Sequence, residues 1–291
     1  MASYLSRLFY LGDNYHGSQY QLGLSTVQGE MIDALTSWSG ENHSTQTVQL
    51  SGRTDKGVHS IGQLVMITTE KQFSIDKINS YLPDDIILWA STKAPNNFVP
   101  RYNILMRHYR YYLDESWANL NLKTVKKAAS FLIGSYDFSE LAKPDAGRNT
   151  LTTILNISIN NSGEQYFLDI FGTRFLWKLV RKIVTLLTEI GTEKVGLETI
   201  NKILLGQKVF VSGIKPAPPE NLVLMETITP IKMKTSKYAI RTIQKQLSKK
   251  LEQYKRSIRT VSNVIDYFSG SMMTYQYSTN SRSRSNAEDL S

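Results

Sequence analysis

Cysteine is absent from this chain of 291 residues. Disulfide bonds, thiol nucleophiles and cysteine-ligated zinc sites are therefore excluded. The chain has only four histidines, and none is spaced from another as in a metal-ligand motif: His16, His43, His59 and His108. The sequence accordingly predicts chemistry that needs no metal and no other cofactor.

Long apolar runs are also missing. No stretch approaches the roughly 20 apolar residues that a membrane helix needs, and the first ten residues lack the basic and then apolar pattern of a secretory leader. We therefore expect a cytoplasmic protein without membrane contact. Hydrophobic residues make up 41% of the chain and aromatic residues 10%, which is typical of a folded globular protein.

Basic charge is concentrated near the end of the chain. The net charge is +9, but residues 232–291 hold 12 Lys/Arg against 4 Asp/Glu, and residues 1–231 hold 22 against 21. A basic segment indicates a polyanionic partner, with nucleic acid before a membrane surface. A solvated basic helix with no partner is the alternative, and composition leaves both open.

Helix and strand patterns intermix without a regular βαβ period, which predicts the α+β class. The Ser25-Thr-Val-Gln28 segment has the capping-box pattern and predicts a helix that ends near Gly40. Apolar spacing predicts a second helix over 175–190, and the tyrosine-rich segment 104–113 predicts a strand.

The last sixty residues differ from the rest. Nine apolar residues between Ile240 and Phe268 are spaced by three or four, with Lys and Arg between them. This spacing predicts one long amphipathic helix whose narrow apolar seam packs on the rest of the chain or on a second subunit. We divide the chain into an N-terminal α/β subdomain (1–100), a C-terminal α/β subdomain (101–231), a basic helix (232–268) and a disordered tail (269–291).

A Gly-rich polar loop separates two predicted strands, Ser51-Gly-Arg-Thr-Asp-Lys-Gly-Val-His59. Its glycines permit a tight path and close approach of a ligand. Asp55 is flanked by cations, so it stays ionised and is available as a nucleophile. Asp and Gly are also common in turns, so from the pattern alone an ordinary turn is the simpler interpretation.

The segment Arg53–His59 nonetheless resembles the Arg-Thr-Asp-x-Gly-Val-His signature of TruA-type tRNA pseudouridine synthases. Further segments resemble other motifs of that family in the same order, over about residues 5–229. They are Tyr15-His-Gly-Ser-Gln-Tyr20, Thr26-Val-Gln-Gly29, Phe98-Val-Pro-Arg101, Arg107-His-Tyr-Arg-Tyr111, Asp137-Phe-Ser139, Phe175-Leu176, Val180-Arg-Lys-Ile-Val184 and Ala217-Pro-Pro219.

The resemblance implies a pseudouridine synthase fold, in which two mixed α/β subdomains with antiparallel sheets flank a catalytic cleft, with a long helix at the C-terminus. It implies isomerisation of uridine to pseudouridine in the anticodon stem-loop of tRNA, at positions 38 to 40, by a homodimer. Asp55 would be the nucleophile and Arg181 its cationic partner. Tyr109 would stack on the target uracil and help in proton transfer. Arg53 would fill the gap left by the flipped base or contact a phosphate.

His59 is expected to order the loop. Tyr109 and Tyr111 should share one strand face and Tyr112 the other. We also expect six cations to contact tRNA phosphates, namely Lys56, Arg101, Arg107, Arg110, Lys178 and Lys182. Two alternatives compete with an enzyme: a non-catalytic RNA-binding protein on the same fold, and a scaffold protein whose working part is the basic helix.

Overall fold

The computed structural model describes residues 1–142 and 149–269. Within these residues the strands are β1 (Ala2–Tyr10), β2 (Val48–Leu50), β3 (His59–Thr69), β4 (Ile86–Lys93), β5 (Met106–Tyr112), β6 (Gly134–Asp137), β7 (Leu151–Ser162), β8 (Gln165–Gly172), β9 (Leu222–Ile228) and β10 (Lys234–Thr235). The helices are α1 (Val27–Ser39), α2 (Ile75–Asn79), α3 (Leu122–Phe131), α4 (Leu179–Gly191), α5 (Glu198–Leu204) and α6 (Lys237–Phe268). Short 3₁₀ turns lie at Glu115–Asn119 and Ser139–Leu141.

All the described strands belong to one sheet, in the order β10-β4-β1-β3-β9-β5-β8-β7-β6, with β2 beside β3. Neighbouring strands run antiparallel except β3 and β9, which pair in parallel through His59 with Val223 and Ser60 with Leu224. This short parallel pair joins two antiparallel halves. The α+β class is confirmed, and the two expected antiparallel sheets are continuous through the β3–β9 pair.

Helices cover one face of the sheet. In the first half, α1 and α2 pack on β1 and β3 through Leu8, Met31 and other apolar residues. In the second half, α3 and α4 pack on β5 and β8 in a core that includes Tyr111, Leu168 and Ile183. The period of two along each strand explains this arrangement, because alternate side chains face the helices. Tyr109 and Tyr111 lie on this face, and Tyr112 is exposed, as predicted.

The opposite face of the first half is covered by non-helical segments and by the start of α6. Leu5 and Leu64 pack with Phe98, and Phe9 packs with Ala239 and Ile243. The chain divides into two compact units, Met1–Ile243 and the residues from Gln244 onward. In the second unit, α6 continues to Phe268 as an exposed helix whose seam residues include Leu247, Leu251, Tyr254 and Ile258.

The expected tail lies, from residue 270 onward, outside the described residues, and the subdomain boundary at 100 stays a prediction. Among the residues described, none of the helices combines the length and the apolar character that crossing a bilayer requires.

Three helix starts differ from the expectation. The basic helix expected from residue 232 begins at Lys237, because Lys234 and Thr235 pair with β4 as the strand β10. The cap of α1 is Thr26 rather than Ser25: the Thr26 hydroxyl accepts the Gly29 N–H at 3.2 Å, and Ser25 bonds the Glu30 carboxylate instead. The helix expected from residue 175 begins only at Leu179, because Lys178 adopts a left-handed conformation with φ 62°. Residues 175–178 therefore form a loop at the entrance to α4.

Candidate active site

The junction of the two half-sheets carries two buried tyrosines. Tyr10, Ser60, Leu224 and Tyr109 are in register across β1, β3, β9 and β5, so they point to the same face. Burial raises the pKa of Tyr10 to about 12. Burial also raises the pKa of Tyr109, and the negative charge of Asp55 adds to that rise. Both phenols therefore keep their protons at neutral pH.

Residues 51–58, which we call the Asp55 loop, cross this junction. Side chains of β1 and β3 hold the loop in place through hydrogen bonds. The Ser51 hydroxyl donates to Gln63 Oε1 at 2.7 Å, and Gln63 Nε2 donates to the Gly52 carbonyl at 2.9 Å. The hydroxyls of Tyr10 and Thr54 are 2.8 Å apart. Because these partners are buried, the loop is anchored in the protein interior and is not an ordinary surface turn.

The segment before α1 supports the loop from the side. Ser18 exchanges two hydrogen bonds with Thr54, one from the Ser18 N–H to the Thr54 carbonyl at 3.1 Å and one from the Thr54 N–H to the Ser18 hydroxyl at 2.8 Å. The Gln28 N–H then donates to the Ser18 carbonyl at 2.9 Å, which links this segment to the first turn of α1. The Thr54 backbone is thereby held against a helix start.

Asp55 and Arg181 form an ion pair, as predicted. Arg181 Nη1 lies 2.8 Å from Asp55 Oδ2, and the side chains are 10% and 20% exposed. Arg181 Nε donates to the Ala217 carbonyl, and the Ala217 N–H donates to the Arg181 carbonyl at 3.1 Å. The guanidinium is thus oriented from two sides, and the carboxylate remains partly open to a ligand.

Residues 217–222 contact the Asp55 loop at further points. Gly57 has φ 83°, and a Cβ built on it would lie 3.1 Å from Pro219 Cγ. His59 Nδ1 accepts the Gly12 N–H at 3.0 Å, so its ring proton sits on Nε2, which donates to the Glu220 carbonyl at 3.1 Å. His59 therefore ties the ends of β1 and β3 to the segment before β9, in agreement with the expectation that it orders the loop.

The charge of Asp55 acts on the Tyr109 phenol, whose ring packs edge to face with Phe175 at 5.1 Å between centroids. Arg53 and Lys56 are exposed on the same loop. The structure thus brings Asp55, Arg181 and Tyr109 together, with Arg53 at the rim.

Two of the six expected phosphate contacts are wrong. Arg107 is 7% exposed, and its guanidinium donates to the carbonyls of Ser51 and Thr173. Arg110 makes two hydrogen bonds of 2.9 Å to Asp169 and lies over Phe167. Internal partners occupy both guanidinium groups.

The other four cations remain accessible. Lys56 and Arg101 are exposed, and Lys178 and Lys182 are half-buried one helical turn apart at the start of α4. Burial lowers the pKa of Lys182, and repulsion from Lys178 lowers it further. Lys178 also lies over the ring of exposed Trp177 at 4.1 Å. Lys56 follows Asp55 in the loop, and Trp177, Lys178 and Lys182 flank Arg181 along the chain; we call these side chains, with Arg53, the rim of the site. Within the described residues, no group of three His, Cys, Asp or Glu side chains is placed to hold a metal ion.

Sequence reasoning missed the supports of the site. Tyr10, Ser18 and Gln63 were not singled out, although the tyrosine that ends the first predicted strand was a visible signal for Tyr10. The part played by the Ala217 carbonyl has no side-chain signal, because a backbone acceptor exists at every residue.

Comparison with known proteins gives consistent matches. A family model described as tRNA pseudouridine synthase matches residues 128–230. A tRNA pseudouridine synthase A of Methanosarcina acetivorans is 36% identical over 224 residues, which cover 75% of this chain and 81% of the relative. The protein of that name from Archaeoglobus fulgidus is 32% identical over 253 residues, covering 86% and 93%. The one from Methanosarcina barkeri is 32% identical over 268 residues, covering 90% and 98%.

Proposed function

This chain belongs to the tRNA pseudouridine synthase A family of isomerases, and from that premise we propose that it converts uridine to pseudouridine in tRNA with Asp55 as the nucleophile. The observation that carries this proposal is the Asp55–Arg181 ion pair of 2.8 Å beside the buried ring of Tyr109. A carboxylate, its counter-charge and an aromatic ring are the groups that the reaction requires.

The reaction rearranges bonds within one nucleotide. The N1–C1′ bond of uridine breaks, the base turns, and a C5–C1′ bond forms. The proton on C5 is lost to solvent and N1 ends with a proton, so atoms and electrons balance without a redox partner. Loss of the C5 proton gives the reaction a direct readout.

Each group has a role that fits its surroundings. Asp55 attacks the ribose or the uracil ring, and Arg181 pairs with its carboxylate and orients it. Tyr109 stacks on the uracil. Its buried phenol, which keeps its proton at neutral pH because burial raises its pKa, helps in proton transfer.

The accessible cations around the site bind the substrate. The target uridine must leave its stack at a cost of a few kcal/mol, and the exposed Arg53 fills the gap or meets a phosphate. Lys56, Arg101, Lys178 and Lys182 contact backbone phosphates. The repulsion between Lys178 and Lys182 supports this assignment, since a phosphate between them would relieve it.

The target positions and the assembly rest on the resemblance alone. We propose uridines 38 to 40 of the anticodon stem-loop, a homodimer that grips one tRNA across its interface, and a cytoplasmic location. Mapping pseudouridine in tRNA from cells that lack this protein tests the positions, because those uridines would remain unmodified.

Tritium release from tRNA labelled at uracil C5 tests the reaction. We expect release by the wild type and a loss on the order of 10⁴-fold for Asp55→Asn, since the nucleophile is removed. Asp33→Asn, which changes an exposed carboxylate on α1, is the matched control and should release tritium at the wild-type rate.

The same assay separates the alternative of a non-catalytic RNA-binding protein. If the wild type binds tRNA but releases no tritium, the enzymatic proposal fails. If Asp55→Asn retains full activity, the reaction stands but the role given to Asp55 is wrong.

A further inference from the structure

Arg107 is a buried cation without a carboxylate partner among the described residues. It lies on β5 two residues before Tyr109 and is 7% exposed. Its Nη2 donates to the Ser51 carbonyl at 2.5 Å and its Nη1 to the Thr173 carbonyl at 3.1 Å. Burying an uncompensated charge is costly, so the arrangement calls for a reason beyond filling space.

The two carbonyls belong to the two segments that carry the ion pair. Ser51 is the first residue of the Asp55 loop. Thr173 is the first residue of the segment 173–178, which leads from β8 into α4 and so to Arg181. One rigid guanidinium therefore spans the pieces of chain that bring Asp55 and Arg181 together.

The contact is close on the side of the Asp55 loop. A Cβ built on Gly52 would lie 3.0 Å from Arg107 Nε and 3.4 Å from Nη2. The backbone of Gly52 therefore lies directly against the Arg107 guanidinium, and a shift of Arg107 would move residues 51 and 52 with it.

We propose that Arg107 is a positioning residue of the reaction, which sets the separation of Asp55 and Arg181 by holding the Ser51 and Thr173 carbonyls on one planar fork. This inference rests on the proposed function. Lysine cannot replace it, because an ammonium on a flexible stem lacks the fixed fork that reaches two acceptors at once.

Arg107→Lys is the test variant, and Arg7→Lys is its matched control. Arg7 is also 7% exposed and also donates to carbonyls, those of Gly62 and Thr227; unlike Arg107 it has a carboxylate partner as well, Glu226 at 2.8 Å. It shares a strand face with Leu5 and Phe9, opposite the helices. Both variants keep the charge and lose a buried fork, but only Arg107 touches the site.

Three measurements are made on the full chain with transcribed tRNA: kcat and KM for tritium release, the slope of log affinity against log salt, and hydrogen exchange of the segments 51–58 and 173–178. For Arg107→Lys we expect kcat to fall about 10²-fold, as for a misplacement near 1 Å. KM and the salt slope stay unchanged, and both segments exchange faster. For Arg7→Lys we expect kcat and the exchange of both segments to stay as in the wild type.

Several results would overturn the inference. Weaker tRNA binding with kcat unchanged would make Arg107 a phosphate contact, because lysine keeps the charge but loses the bidentate fork. An equal loss of kcat in Arg7→Lys would make the effect one of general stability. If the wild type releases no tritium, the proposed function fails. The exchange measurement still tests whether Arg107 holds the two segments, since unchanged exchange in Arg107→Lys would reject that role.

Discussion

At the scale of single residues, Gly17 shows how tightly the Asp55 loop is enclosed. Its φ is 98°, and a Cβ built there would lie 2.9 Å from the Thr54 carbonyl oxygen. That oxygen also accepts the Ser18 N–H. The glycine thus permits two backbone segments to touch directly beside the candidate nucleophile.

We expect Gly17→Ala to destabilise the protein for two reasons. The positive φ costs about 1–2 kcal/mol, and the close contact adds about 1–3 kcal/mol. The melting temperature should fall by roughly 2–4 °C for each kcal/mol, and tritium release should fall because Thr54 is displaced.

Gly23→Ala is the control for that substitution, measured by the same thermal unfolding. Gly23 lies with Gly17 in the segment between β1 and α1 and has a φ of 75°, but nothing lies within 4 Å of its added Cβ. It should show the backbone cost alone. Equal shifts for the two variants would mean that contact with Thr54 contributes nothing.

The sequence predicted which charges matter near Asp55 but not where every cation points. The ion pair of Asp55 with Arg181 could be predicted because both residues lie in recognisable motifs. Arg107 and Arg110 lie in such a motif too, yet internal acceptors occupy them. The destination of a guanidinium depends on carbonyls far away in the chain, Thr173 in the case of Arg107, and a linear pattern does not contain that information.

At the scale of elements, prediction succeeded where local periodicity decides and failed where distant pairing decides. The strand expected over 104–113 is present as β5, Met106–Tyr112, because its alternating tyrosines suit a strand with one buried face. The strand β6 was not predicted, since four residues become a strand only by pairing with β7. The start of α4 was misplaced because the left-handed turn at Lys178 interrupts a continuous helical pattern.

The basic helix yields a prediction at this scale, and the structure fixes where to cut. Residues 237–243 belong to the first compact unit, and Ala239 is fully buried. We therefore expect a chain ending at Ile243 to fold and to keep kcat for tritium release. Its removed segment holds 8 Lys/Arg against 4 Asp/Glu, so tRNA affinity should fall and the salt slope should drop by at least about 1.

A full-length variant separates charge from the apolar seam of that helix. Replacing Lys245, Lys249 and Arg256 with Gln changes no seam residue, and all three are exposed. It should reproduce most of the slope change of the truncated chain. Equal slopes for the wild type and both variants would exclude contacts between the helix and phosphates and would favour packing of the seam on a second subunit.

At the scale of the whole molecule, charge and chemistry lie in different parts of the chain. Residues 1–231 are nearly neutral, with 22 Lys/Arg against 21 Asp/Glu. We therefore propose that the site holds tRNA through locally clustered cations such as Lys178 and Lys182, and that the basic helix adds attraction independent of sequence. In the proposed homodimer, the helix of one subunit serves the Asp55 of the other.

Mixed dimers test that arrangement. Co-expressing full-length Asp55→Asn with the chain ending at Ile243 gives dimers that combine one intact site with one basic helix on the other subunit. If tRNA is gripped across the interface, these dimers should release tritium several-fold faster at low tRNA concentration than the truncated chain alone. Truncated Asp55→Asn as the partner should give no gain. For the full-length protein alone, sedimentation should show a particle of twice 33.1 kDa. A dimer without gain would mean that each helix serves its own site, and a monomer would remove the homodimer altogether.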